Sequence, residues 1–92
     1  MEESKIIITI IGIDKVGIVA SFANVLSKYH VNIEDIRQTI MQDYFAMIMM
    51  ADISKSTSSF QELKENLSNA GAKMDMEVWV QRKKIFDKMH SI

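Results

Sequence analysis

The sequence predicts an α+β fold of the ferredoxin-like βαββαβ type: a four-stranded antiparallel sheet, two helices on one of its faces, and a short C-terminal helix. Three observations predict it. The hydrophobic periodicity changes along the chain in the order strand, helix, strand, strand, helix, strand. The first and third predicted strands are apolar on both faces, whereas the second and fourth alternate. A sheet with spatial order four-one-three-two puts the first and third strands at its centre, so the residue pattern and the topology agree. Finally, 92 residues make about one domain.

Lys5 to Ile13 reads as a strand because Ile6, Ile7, Ile8, Thr9, Ile10 and Ile11 are β-branched and suit a pleated surface. Gly17 to His30 reads as a helix, with Ile18, Phe22, Val25 and Tyr29 at helical spacing and Val19, Ala23 and Leu26 widening the stripe. Asp14 stands where its carboxylate is expected to accept a first-turn N–H. Lys28 and His30 suit the C-terminal dipole. Asn32 to Gln42 and Tyr44 to Ile53 read as a hairpin turning at Gln42-Asp43. Ile33 is out of phase with Ile36, Gln38 and Ile40, which predicts a bulge near Glu34-Asp35. Ser59 to Ala70 reads as a helix opened by the capping box Ser59-Phe60-Gln61-Glu62 and closed by Gly71 as a left-handed cap. Lys73 to Gln81 alternates as an edge strand. In the tail, Ile85, Phe86, Met89 and Ile92 form one stripe, and Phe86 and Met89 are expected to be buried on the sheet or between subunits. Two helices cover only one sheet face, so the other needs a cover, either a second subunit or the tail helix.

Composition removes several classes of function. The chain is 48% hydrophobic and 25% charged, as expected of a globular domain. Eleven basic and twelve acidic residues give a net charge of −1, which argues against a nucleic-acid surface and against a basic membrane-surface helix. There is no Cys, which excludes disulfides, thiolate catalysis and Cys-based zinc or haem sites. The start Met1-Glu2-Glu3-Ser4-Lys5 lacks the positive region of a signal peptide, and no apolar run approaches the roughly 20 residues of a membrane span. The expectation is a cytoplasmic protein without a cofactor. His30 and His90 have no partner at ligand spacing, so no metal site is expected. Glu34 and Asp35 are adjacent on a strand and point to opposite faces, which argues against a catalytic carboxylate pair. Met47, Met49 and Met50 lie in an apolar strand and read as core rather than as copper ligands.

The segment Gly12-Ile13-Asp14-Lys15-Val16-Gly17-Ile18 joins the first strand to the first helix. Two glycines allow a sharp bend, and the helix start presents unpaired N–H groups suited to a carboxylate or phosphate. A tight turn with Asp14 as cap is the other account of the same residues. A metal carrier of this fold would put a Cys pair here, and an acylphosphatase an Arg; Lys15 is the loop's single basic residue and cannot fork two bonds as Arg does. An RNA-recognition module would put solvent-facing aromatics on the central strands, and the first strand has none. No base or nucleophile set is visible, so no enzyme is expected.

The loop Gly12 to Val19, the segment Asn32-Ile33-Glu34-Asp35-Ile36-Arg37-Gln38-Thr39 and the ending Ile85-Phe86-Asp87-Lys88-Met89-His90-Ser91-Ile92 together resemble the ACT domain. More closely, the chain resembles the small stand-alone ACT-domain proteins of bacteria and archaea. Related modules occur in formyltetrahydrofolate deformylases and in the glycine-cleavage repressor. The resemblance implies an ACT domain over residues 1–82 and a helical tail over 83–92. It also implies pairing into a homodimer or higher homo-oligomer, and a small-molecule ligand, such as an amino acid, at the subunit interface. Carried onto this sequence, the ligand meets Asp14, Lys15, Val16 and Gly17 on one side and Asn32 and Ile33 on the other, the latter supplied by the same or a neighbouring subunit. The expected function is that of a regulator or sensor. The alternative is a purely structural dimerisation or protein-interaction module without a ligand.

Overall fold

The computed structural model describes residues 4–89. They form β1 (Lys5–Ile13), α1 (Ile18–Lys28), β2 (Asn32–Met41), β3 (Tyr44–Asp52), α2 (Phe60–Lys73), β4 (Glu77–Arg82) and α3 (Lys83–Met89). Met1 to Glu3, and the tail positions His90 and Ile92, lie outside the described residues. The sheet is antiparallel throughout, with order β2-β3-β1-β4, so the two doubly apolar strands are the central ones as predicted.

The register explains the core. Ile8 lies opposite Met49 on one side and Val80 on the other, which puts Ile6, Ile8 and Ile10 on one face with Phe45, Met47, Met49 and Ala51. Onto that face pack Ile18, Phe22 and Leu26 of α1 and Leu63 and Leu67 of α2, all buried. Each of these side chains contributes about 1.5–3 kcal/mol by leaving water. The predicted bulge is present: the β2–β3 register shifts between Ile33 and Asp35.

Four local expectations are corrected. First, α1 is shorter than predicted: Gly17 is its N-cap and Lys28 its last residue, with His30 beyond it at φ 59°. Second, Asp14 does not cap α1; its carboxylate accepts no hydrogen bond among the described residues. Third, Gly71 does not end α2. The helix continues to Lys73, and the left-handed residue is Asp75 at φ 56°. Gly71 is needed for another reason: a Cβ there would lie 2.3 Å from Val78 Cγ2, so glycine permits close approach of α2 to β4. Fourth, because α2 and its turn consume Lys73 to Met76, β4 begins at Glu77 rather than Lys73.

The tail helix folds back over the second sheet face. Phe86 is half-buried and lines a hollow with Thr9, Ile48, Trp79 and Gln81. Met89, expected to be buried, is exposed on the single chain, with its sulfur accepting from Gln81 Nε2 at 3.2 Å.

Candidate functional site

The loop from β1 to α1 is fixed at two points. The Asp14 N–H donates to Asp43 O in the β2–β3 turn at 2.7 Å. The Lys15 ammonium crosses to the turn after α2, donating to Met74 O at 2.5 Å with Asp75 Oδ2 at 3.7 Å. Below it, Gly12 lets β1 pass the same turn, since a Cβ there would sit 2.6 Å from Met76 Sδ. Lys15 therefore anchors the loop to the end of α2 and does not point its charge into the bend. Asp14, Val16 and Gly17 are exposed, Val16 completely.

Gly17 adopts φ 89° and ψ 6°, a left-handed conformation that costs an L-residue roughly 1–2 kcal/mol. The helical ladder starts with Ser21 N–H on Gly17 O at 2.9 Å. The amides of Ile18, Val19 and Ala20 thus precede the first intrahelical bond, no side chain caps them, and no acidic residue lies in the first turn. The arrangement is an open helix start with a partial positive charge.

Asn32 and Ile33 lie elsewhere. Asn32 is beside Asp52, which is beside Lys5, whereas the loop follows Ile13. Eight residues of β1 separate these levels, roughly 26 Å at strand rise. Within one chain the two halves of the predicted site are at opposite ends of the sheet. Around exposed Asn32 the structure adds residues that the sequence reading left out: His30, Asp52, Ser54 and Lys55 join it in lining a cavity of about 360 Å³. Ser54 N–H donates to Asp52 Oδ1 at 2.7 Å, and Lys5 reaches both Asp52, at 3.2 Å, and the bulge residue Glu34. The Ser54 N–H, then its side chain, and to a lesser degree Lys5, hold the Asp52 carboxyl well below the usual carboxylate range. Glu34 first, with Asp52, raises the Lys5 ammonium above its usual value. An Asx-type signal, Asp52-Ile53-Ser54, was present in the sequence. A larger cavity of about 700 Å³ lies between α1 and α2, lined by Ser21, Asn24, Asn66 and Asn69 among others. No predicted site residue lines it.

With this geometry in view, the comparisons with known proteins are specific. Residues 4–81 match the family model of the ACT domain. The chain belongs to the ACT-domain family. It is 48% identical over 88 residues to a UPF0237 protein of Methanococcus maripaludis, covering 96% of this chain and 98% of that one. It superimposes on an ACT domain protein from Streptococcus pneumoniae with a TM-score of 0.77 at 32% identity, covering 90% of this ACT chain and 93% of the other. The regulatory subunit of aspartate kinase from Thermus thermophilus shares the fold, with a TM-score of 0.67 at 21% identity over 87% of this chain and 52% of that one. Among the described residues no helix is long and apolar enough to cross a membrane, and no group of three or more His, Cys, Asp or Glu side chains is arranged to hold a metal ion.

Proposed function

We propose that this ACT domain is a non-catalytic sensor or regulator that binds a small zwitterion, such as an amino acid, between two copies of the chain. The observation that carries the proposal is the uncapped start of α1 after left-handed Gly17. Its amides suit the ligand carboxylate. Asp14, exposed and not engaged as a cap, suits the ammonium group, and Val16 offers an exposed apolar contact. Lys15 holds the loop in position through Met74.

A second copy supplies Asn32 and Ile33. β2 is the long free edge of the sheet, ten residues against six in β4, and on its helix side Ile36 and Ile40 are exposed. Antiparallel pairing of two β2 edges about a two-fold axis reverses the partner, which turns its Asn32 end toward the loop end of the first copy. Asn32 then contributes both a donor and an acceptor. The fold shared with the regulatory subunit of aspartate kinase supports the regulatory reading.

The test is a thermal-shift screen of the twenty amino acids. One of them, at a hundredfold excess over Kd, stabilises the fold by about 2.7 kcal/mol. That is a Tm rise of roughly 10 °C or more for a domain this size. Gly17→Glu removes the shift and leaves association intact. A screen in which no amino acid raises Tm overturns the ligand and favours the other reading, a module that only dimerises or docks, for which the exposed apolar residues of β2 speak.

A further inference from the structure

The cavity of about 700 Å³ between α1 and α2 has a lining unlike the rest of the helical surface. Asn24, Asn32, Asn66 and Asn69 are the asparagines of the chain, and all but Asn32 line it. Ser21 and Asn24 are about one turn apart on α1, and Asn66 and Asn69 about one turn apart on α2, so each helix brings a pair of short polar residues to the same space. Asparagine is a poor choice for a helix interior, because its amide competes with the backbone. Other exposed positions of α2 carry the good helix formers Gln61, Glu62, Lys64 and Glu65. Asn66 Nδ2 donates to Glu62 O at 2.8 Å, whereas the side chains of Asn24 and Asn69 have no hydrogen-bond partner among the described residues. The helices thus give up local stability along this groove and keep carboxamides available in it.

The lining defines what fits. A carboxamide donates and accepts together, so it matches a neutral edge that does the same, and asparagine pairs bidentately with a purine edge such as that of adenine. Val25, Ala70 and Met74 are half-buried, pack against the core and make an apolar floor for a flat ring, with the Met74 thioether suited to an aromatic neighbour. Lys73 is the one charged residue of the lining, so the cavity takes an anionic group at that end. The volume lies in the range of about 300–1,000 Å³ usual for small-molecule sites. We propose that the α1–α2 groove binds a purine nucleoside monophosphate, with the base on the apolar floor, its edge read by Asn24 and Asn69, and its phosphate on the Lys73 ammonium. One lysine suits one phosphate and not a polynucleotide, which agrees with the net charge of −1. The groove shares no residue with Asp14 to Gly17 or with Asn32 and Ile33, so this site is independent of the zwitterion reading.

The experiment is isothermal titration calorimetry of the full chain with AMP, GMP, CMP and UMP, and with adenosine, guanosine and ribose 5-phosphate as fragments. A purine monophosphate is expected to bind about tenfold or more tightly than ribose 5-phosphate or its own nucleoside. Asn24→Ala/Asn69→Ala weakens it about tenfold. Alanine is the better helix former, so an undiminished Tm shows that this variant keeps its fold. Lys73→Gln weakens the nucleotide by a similar factor and leaves the nucleoside unchanged. No purine monophosphate bound at about 1 mM, or equal binding in wild type and the Asn24/Asn69 variant, overturns the site. Ribose 5-phosphate or a pyrimidine monophosphate bound as tightly as AMP and GMP overturns it too. Gly17→Glu, which removes the amino-acid shift, leaves nucleotide binding intact, so a failed titration and a failed amino-acid screen each strike one site and spare the other.

Discussion

The two junctions that carry a strand into a long helix are built in opposite ways. Between β3 and α2, side chains close the backbone. Asp52 Oδ1 accepts the Ser54 N–H at 2.7 Å, Ser56 Oγ accepts the Ser58 N–H at 3.2 Å, and Ser59 Oγ accepts the Glu62 N–H at 3.1 Å. Glu62 adds negative charge in the first turn. Between β1 and α1 no side chain performs any of these tasks. Gly17 is the N-cap, the first turn has no acid, Asp14 bonds among the described residues through its backbone only, and Lys15 turns away to Met74. A cap is worth about 1 kcal/mol. The difference between the junctions is thus a local loss of stability at α1, and what it leaves is a set of amides without a side-chain cap at the loop that the family resemblance connects with a ligand.

If the open junction is held by packing instead of capping, its most sensitive point lies beneath the loop. Gly12→Ala would set a methyl 2.6 Å from Met76 Sδ and 3.2 Å from Asp75 O, and Met76 is itself buried. The expected loss is about 2 kcal/mol from overpacking, with a fall in Tm of roughly 10 °C. A calorimetric scan that shows a fall of less than about 3 °C would mean that the loop is not pinned to the α2–β4 turn.

The caps give a smaller and sharper contrast. Ser59→Ala removes the one side-chain cap of α2 and is expected to lower stability by about 1 kcal/mol. The matching truncation at the other junction, Asp14→Ala, should cost less than about 0.5 kcal/mol, because the carboxylate accepts no hydrogen bond among the described residues. Urea midpoints at constant slope measure both. Equal losses would show Asp14 acting as a cap, and the two junctions would then be alike.

Much of this was readable in the residues, for identifiable reasons. The strand order followed from which strands are apolar on both faces, a property set by burial and hence visible in side-chain type. The Ser59 cap and the β2 bulge are local, and local chemistry announces itself in spacing. The errors were at positions decided by tertiary contact. Gly71 resembles a helix stop, but its missing side chain serves the approach of Val78, so the helix runs on and β4 starts late. Asp14 has the chemistry of a cap, but the chain bends at left-handed Gly17 and carries the helix start beyond it. Within the candidate site, the residue types of Asp14 to Gly17 were legible and their directions were not: that Lys15 reaches a carbonyl 59 residues away depends on where α2 ends. The wide separation of Asn32 from the loop follows from the register, which no single segment encodes.

The smallest effect concerns the closed junction and depends on pH. Asp52 begins the β3–α2 connection, and the Ser54 N–H, the Ser54 side chain and Lys5 favour its charged form in the folded chain. A carboxyl whose folded value is depressed adds stability above the unfolded value, near pH 4, and loses that contribution as pH falls through the folded value. Asp52→Asn keeps an acceptor for the Ser54 N–H and removes the charge. The variant should therefore be less stable than wild type by a constant margin from pH 7 to about pH 5, and the margin should narrow below about pH 4. Denaturant midpoints at intervals across that range measure it. A margin that stays flat down to pH 2 would mean that Asp52 stabilises the junction as a neutral acceptor, and the closed junction would owe its order to hydrogen-bond geometry alone, without help from charge.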